Sequence, residues 1–140
     1  MSKTIQEIEQ EIIDEFSMFD DWMDKYEYII ELGKDMESFP AEMRTEENLI
    51  KGCQSQVWFV AEERNGNLYF KADGDAIITK GLAALMIKVF SGQSAADIVK
   101  AELTFIDEIG LSQHLSPTRS NGLLAMVKQI KMYGLAYSAK

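Results

Sequence analysis

Two short runs of apolar, β-branched and aromatic residues, "QVWFVAEE" and "LYFKA", stand on either side of "RNGN". Runs of that composition read as strands, and an Asn-Gly pair favours the positive φ angles of a tight hairpin turn. Asn65-Gly66 therefore predicts two antiparallel neighbours joined at that point, and no other stretch restricts the fold as much. A third segment of the same character, "LIKG", precedes the pair, which predicts a small three-stranded antiparallel sheet.

Outside the sheet the apolar spacing is helical. Ile5, Ile8, Ile12 and Phe16 recur at three- and four-residue intervals, with Thr4 and Glu7 as a capping box. "DDWMDKYEYIIELG" predicts a second helix capped by Asp20 or Asp21, with Trp22, Tyr26 and Ile29 on one face and Gly33 as its stop. "FPAEMRTEEN" reads as a connection into the sheet. "DGDAIITKGLAALMIKVFSG" is apolar on nearly every side, as expected of a centrally buried helix capped near Asp75 and ended by Gly92. "SAADIVKAEL" and "TFIDEIG" predict shorter helices capped by Ser94 and Thr104. A long amphipathic helix follows, with Ser116 as N-cap and Pro117 at the first helical position. Helices before and after one small antiparallel sheet packed against them make the fold class α+β. The 140 residues suit a single domain, 1–140, with one core.

Charge narrows the partners. Acidic residues outnumber basic ones 23 to 14 for a net charge of −9, and they crowd the first half. Binding a polyanion relies on Lys and Arg, so nucleic acid is not expected, whereas a basic protein patch would be attracted. The N-terminus lacks the pattern of a signal peptide, and no apolar run approaches the roughly 18 residues of a membrane span. A cytoplasmic location away from membranes is expected. In a reducing compartment a lone cysteine works as a thiol.

That cysteine is Cys53, in "NLIKGCQSQVWFV", where Gly52 permits backbone angles other residues resist. A free cysteine is commonly a small buried hydrophobe, but a glycine-preceded loop between strands suits presentation of a nucleophile better than core filling. Two readings stay open on the residues alone: a cysteine–histidine thiol enzyme with His114 as base, and a binding module whose cysteine is incidental. His114 is the single histidine, with no third orienting residue identifiable. One Cys and one His do not make a zinc or iron–sulfur site, so no metal is expected. Arg119, in the first turn of the last helix, would either pair with a surface carboxylate or add positive charge near a thiolate. "DGDAIITKG" lacks the glycine spacing and ending of a phosphate loop.

The blocks "GCQSQVWFV", "DGDAIITKGLAALM" and "QHLSPTRSNGLLAMVKQI", in that order, resemble the SufE family of sulfur-acceptor proteins, which includes the closely related CsdE. The similarity runs from "YIIELG" to the final helix. It implies a fold shared with IscU-type cluster scaffolds, though those carry several cysteine ligands and this chain has only Cys53. It also implies that Cys53 takes sulfane sulfur from the persulfide of a SufS-like or CsdA-like cysteine desulfurase, stimulates that enzyme, and passes the sulfur to an iron–sulfur scaffold of SufBCD type. Pyridoxal phosphate would belong to the desulfurase, and this chain would carry no cofactor. Within the matching blocks Gly52, Gln54, Asp75, Lys80, His114 and Arg119 become candidates for loop positioning or desulfurase docking. A resting loop buried in an apolar pocket is expected, and the chain is expected to be a monomer or a weak homodimer.

Overall fold

A computed structural model of the chain describes residues 3–36, 39–50, 56–103 and 105–138. Helix α1 (Ile5–Ser17) begins with the expected capping box: the Thr4 hydroxyl accepts the Glu7 N–H, and the Glu7 carboxylate accepts the Thr4 N–H. Its inward stripe is Ile5, Glu9, Ile12 and Phe16. Glu9 is buried yet satisfied, since its carboxylate accepts the Phe105 N–H at 3.2 Å and so seats the start of α5 (Phe105–Glu108) against α1. Helix α2 (Trp22–Lys34) is capped by Asp21, which accepts the Asp24 N–H.

Gly33 does not stop α2, which runs through it to an Asp35 cap. Its role is contact. A Cβ on Gly33 would stand 2.8 Å from the Gly81 nitrogen, and one on Gly81 would stand 2.3 Å from the Ile29 carbonyl oxygen. The two glycines let α2 and α3 (Ile77–Phe90) meet backbone to backbone. Lys88 of α3 then reaches Glu15 and Tyr28, tying α1, α2 and α3 at one polar corner. Ten of the fourteen residues of α3 are buried, as its largely apolar sequence predicts.

Strands β1 (Val57–Arg64) and β2 (Asn67–Gly74) pair antiparallel from Val57↔Gly74 to Arg64↔Asn67. The turn is the expected one, with φ of 54° at Asn65 and 86° at Gly66. The third strand is not the one expected. "LIKG" contributes a single bridge, Leu49 to Trp58, and its residues 51 and 52 lie outside the described residues. The third strand, β3 (Gln93–Ser94), instead pairs with Asn67 and Leu68, giving the order β1-β2-β3. Two residues after a glycine at φ 87° are too few to show alternation in sequence.

Ser94 then caps α4 (Ala95–Lys100), accepting the Asp97 N–H. The cap expected at Thr104 lies outside the described residues. After α5, a one-turn α6 (Leu111–His114) leads into α7 (Pro117–Ser138). Leu123, Met126 and Ile130 of α7 enter the core, and its tyrosines close the outer edge of β1. The Tyr133 hydroxyl donates to the Phe59 carbonyl (3.1 Å) and the Tyr137 hydroxyl to the Ala61 carbonyl (3.5 Å). Four residues apart on a helix, the two hydroxyls match two carbonyls two residues apart on a strand.

Candidate functional site

The segment that carries Cys53 is pinched at its base. The Ile50 N–H donates to the Val57 carbonyl at 2.8 Å, with both side chains buried, so the chain that leaves the core at Ile50 returns to it at Val57. Five residues, 51–55, separate Ile50 from Gln56, and Gly52, Cys53 and Gln54 lie among them, outside the described residues. Covalent geometry alone holds the Cys53 Cα to at most about 11 Å from the Cα of Ile50 and of Gln56. The pinch is therefore the base of any position the thiol adopts.

Asp75 grips the returning arm. Its carboxylate accepts the Gln56 N–H at 3.0 Å, and its own N–H donates to the Gln56 carbonyl at 3.1 Å. The cap of α3 was expected near Asp75. The cap position is its neighbour Ala76, whose methyl side chain can make no hydrogen bond, while the Asp75 carboxylate is engaged by the Gln56 N–H instead. Ile77, one residue into α3, is 67% exposed, so an apolar side chain stands in solvent two residues from this grip.

Beneath the grip lies an ionic cluster that neither composition nor spacing discloses. Asp73 sits opposite Trp58 in the β1–β2 register and is buried. Arg44, from the connection that precedes the loop, places Nε 2.7 Å and Nη2 2.5 Å from one Asp73 oxygen. The other oxygen accepts the Gly74 N–H at 2.9 Å and lies 3.5 Å from the Lys80 ammonium. Burial pushes the Asp73 carboxyl up, but the Arg44 and Gly74 hydrogen bonds and the charges of Arg44 and Lys80 outweigh it, so its pKa falls below the ordinary value. Asp73 interrupts the burial alternation of β2, being buried directly after buried Ala72, whereas the sequence alternation puts it on the outer face, so no sequence signal marks it.

Of the expected site residues, Asp75 and Lys80 meet at the loop base: Asp75 on Gln56, and Lys80 on Asp73 and beside Gly74. His114 ends α6 and Arg119 lies in the first turn of α7, while their side chains lie outside the described residues. Among the described residues no group of three or more His, Cys, Asp and Glu side chains is arranged to hold a metal ion. No described helix is long and apolar enough to cross a membrane.

A family model described as SufE, Fe-S metabolism associated domain, matches residues 10–134. The chain belongs to the SufE family. An uncharacterized SufE-like protein of Rhizobium meliloti is 42% identical over 126 residues, covering 86% of this chain and 90% of that one. A second uncharacterized SufE-like protein, of Rhizobium etli, is 43% identical over 126 residues, covering 86% of this chain and 85% of the other. SufE-like protein 1 of Arabidopsis thaliana, described as chloroplastic/mitochondrial, is 40% identical over 134 residues, which is 94% of this chain and 36% of that longer protein. In fold, the solution structure of a hypothetical protein from Thermus thermophilus matches with a TM-score of 0.79, covering 95% of this chain and 97% of its own, at 16% identity. Membership in the SufE family associates this chain with Fe–S metabolism.

Proposed function

We propose that this SufE-family chain is a sulfur acceptor and carrier, with Cys53 as the acceptor thiol. The observation that carries the reading is the loop base: the single cysteine of the chain falls in a five-residue segment whose two ends are fastened by Ile50 to Val57 and by Asp75 to Gln56. Such a base lets a tip move or be presented without disturbing the sheet behind it.

The chemistry is thiol exchange at sulfur. The Cys53 thiolate attacks the terminal sulfur of a persulfide on a cysteine desulfurase, a new sulfur–sulfur bond forms, and the old bond breaks. The desulfurase cysteine leaves as a thiolate, and Cys53 becomes the persulfide without any external oxidant. Emptying the desulfurase in this way would stimulate its turnover. The carbon–sulfur step belongs to the desulfurase and its pyridoxal phosphate, and an iron–sulfur scaffold is the receiver. With one cysteine, the carrier has no internal thiol to resolve its own persulfide into a disulfide.

On this reading Asp75 and Gln56 set the orientation of the loop, Lys80 and Arg44 hold the Asp73 base, and Gly52, Gln54, His114 and Arg119 position the loop or dock the desulfurase. The deciding experiment is intact-mass measurement after incubation with a cysteine desulfurase, pyridoxal phosphate and free cysteine, beside the Cys53→Ser variant. The wild type is expected to gain about 32 mass units per transferred sulfur, reversibly with reductant, and the variant none. No gain with SufS-like and CsdA-like desulfurases alike overturns the reading.

A further inference from the structure

Helix α7 is apolar on two faces. Leu123, Met126 and Ile130 enter the core, while Leu124, Met132 and Leu135 stand on the other side, 61%, 51% and 56% exposed. With Lys128 between them these residues follow one another at steps of four, four and three, which places them in one stripe about 16 Å long. Helix α1 has an ordinary solvated face by comparison: its exposed positions are Gln6, Glu7, Gln10, Asp14 and Ser17, with no apolar side chain among them. Single exposed leucines are normal, but three large apolar side chains along one helical stripe form a patch of the kind that a partner covers.

Charge says what that partner carries. From residue 109 to residue 140 the chain has Arg119, Lys128, Lys131 and Lys140 and neither Asp nor Glu, although acidic residues outnumber basic ones 23 to 14 in the whole. Lys131 is turned to the Ala101 carbonyl. Lys128 is exposed in the middle of the stripe, with no carboxylate on its own helix to pair with. Among the described residues it forms no ion pair with a neighbouring element either. Apolar side chains at three- and four-residue steps with a cation in their midst make one half of a helix–helix seam, and an acidic helix supplies the other.

We propose that the outer face of α7 docks an amphipathic helix of another protein, one that sets aliphatic side chains against Leu124, Met132 and Leu135 and a Glu or Asp against Lys128. A second copy of this chain fits less well, because its own α7 would bring another face without a carboxylate and leave Lys128 covered without a counter-charge. An anionic lipid surface also fits less well, since the stripe has one cation and the chain a net charge of −9. Nothing in this surface depends on the thiol chemistry.

The test is NMR titration of the 15N-labelled full chain with two designed three-heptad peptides, both with leucine at the a and d positions. One carries glutamate at the e and g positions and the other lysine, so each is kept from pairing with itself by its own charge. The glutamate peptide is expected to shift the amide signals of residues 121–136 and to bind at least about tenfold more tightly than the lysine peptide. Lys128→Glu is expected to reverse that order, which a purely structural effect would not do. Leu124→Gln combined with Met132→Gln, at exposed positions that leave the core intact, is expected to remove binding of both peptides. Cys53→Ser is expected to respond as the wild type does, so failure of sulfur transfer leaves this result untouched. No shift of these signals at millimolar glutamate peptide, or an order of affinity that Lys128→Glu leaves unchanged, overturns the proposal. Broadening of the same signals on vesicles of anionic phospholipid but not with peptide overturns it in favour of a membrane surface. A dimer by sedimentation that the Leu124→Gln and Met132→Gln pair abolishes overturns it in favour of a second copy.

Discussion

Asp75 engages both main-chain groups of Gln56, its carboxylate accepting the N–H and its N–H donating to the carbonyl. Gln56 is exposed and its neighbour Val57 is fully buried, so this double contact marks the point where a surface segment becomes core. Replacing Asp75 with Ala removes one of the two bonds, and that one involves a charged acceptor. Stability is expected to fall by about 1 kcal/mol, and Cys53 in the free protein is expected to react several-fold faster with iodoacetamide than in wild type. The rate is followed by mass, and an unchanged rate would show that the Gln56 contact does not restrain the loop.

Asp73 makes stability depend on acid. Its folded pKa is depressed, so its contribution is complete above the ordinary aspartate value of about 3.9 and disappears as pH falls through the lower folded value. The gap in unfolding free energy between wild type and Asp73→Asn, measured by urea denaturation, is therefore expected to be widest near neutral pH and to narrow below about pH 4. Arg44→Ala should narrow in the same window, because it removes the main source of the depression. A gap independent of pH would contradict the ionic account.

The α2–α3 contact tolerates no side chain at Gly81. Alanine is the better helix former, yet its Cβ would meet the Ile29 carbonyl at 2.3 Å, where only backbone movement makes room. Gly81→Ala is expected to cost about 2 to 4 kcal/mol. Gly33→Ala, whose Cβ faces the Gly81 nitrogen at 2.8 Å, is expected to cost less. Both are measured by chemical denaturation, and a neutral Gly81→Ala would mean that the helices sit further apart.

Removing the hydroxyl of Tyr133 leaves the Phe59 carbonyl without its donor beside a fully buried side chain. Tyr133→Phe is expected to cost about 1 kcal/mol, and Tyr137→Phe, with a longer bond, less. Faster amide exchange along β1 in the double variant would confirm that α7 guards this edge, and unchanged exchange would deny it.

What could be read from sequence was local. The Asn65-Gly66 turn, the Thr4–Glu7 box, the Asp21 and Ser94 caps and the burial of α3 each depend on residues within one element, and each holds. What was misread depends on distant partners. Gly33 carries the same signal whether it ends a helix or meets another one, and only Gly81, far along the chain, decides. "LIKG" has strand composition because Ile50 is buried, but it meets β1 at one bridge. At the site, Asp75 and Lys80 were reached through family resemblance, whereas the Arg44–Asp73 pair joins residues 29 apart and leaves no periodic trace.

The Ile50–Val57 pinch also separates two kinds of change. Residues added to or removed from 51–55 change only the length of chain between Ile50 and Gln56, while the Ile50–Val57 hydrogen bond belongs to the sheet and the core behind them. Loop length is thus free to vary independently of the fold. An engineer can replace the five residues between Ile50 and Gln56 with a foreign segment and keep the rest of the chain.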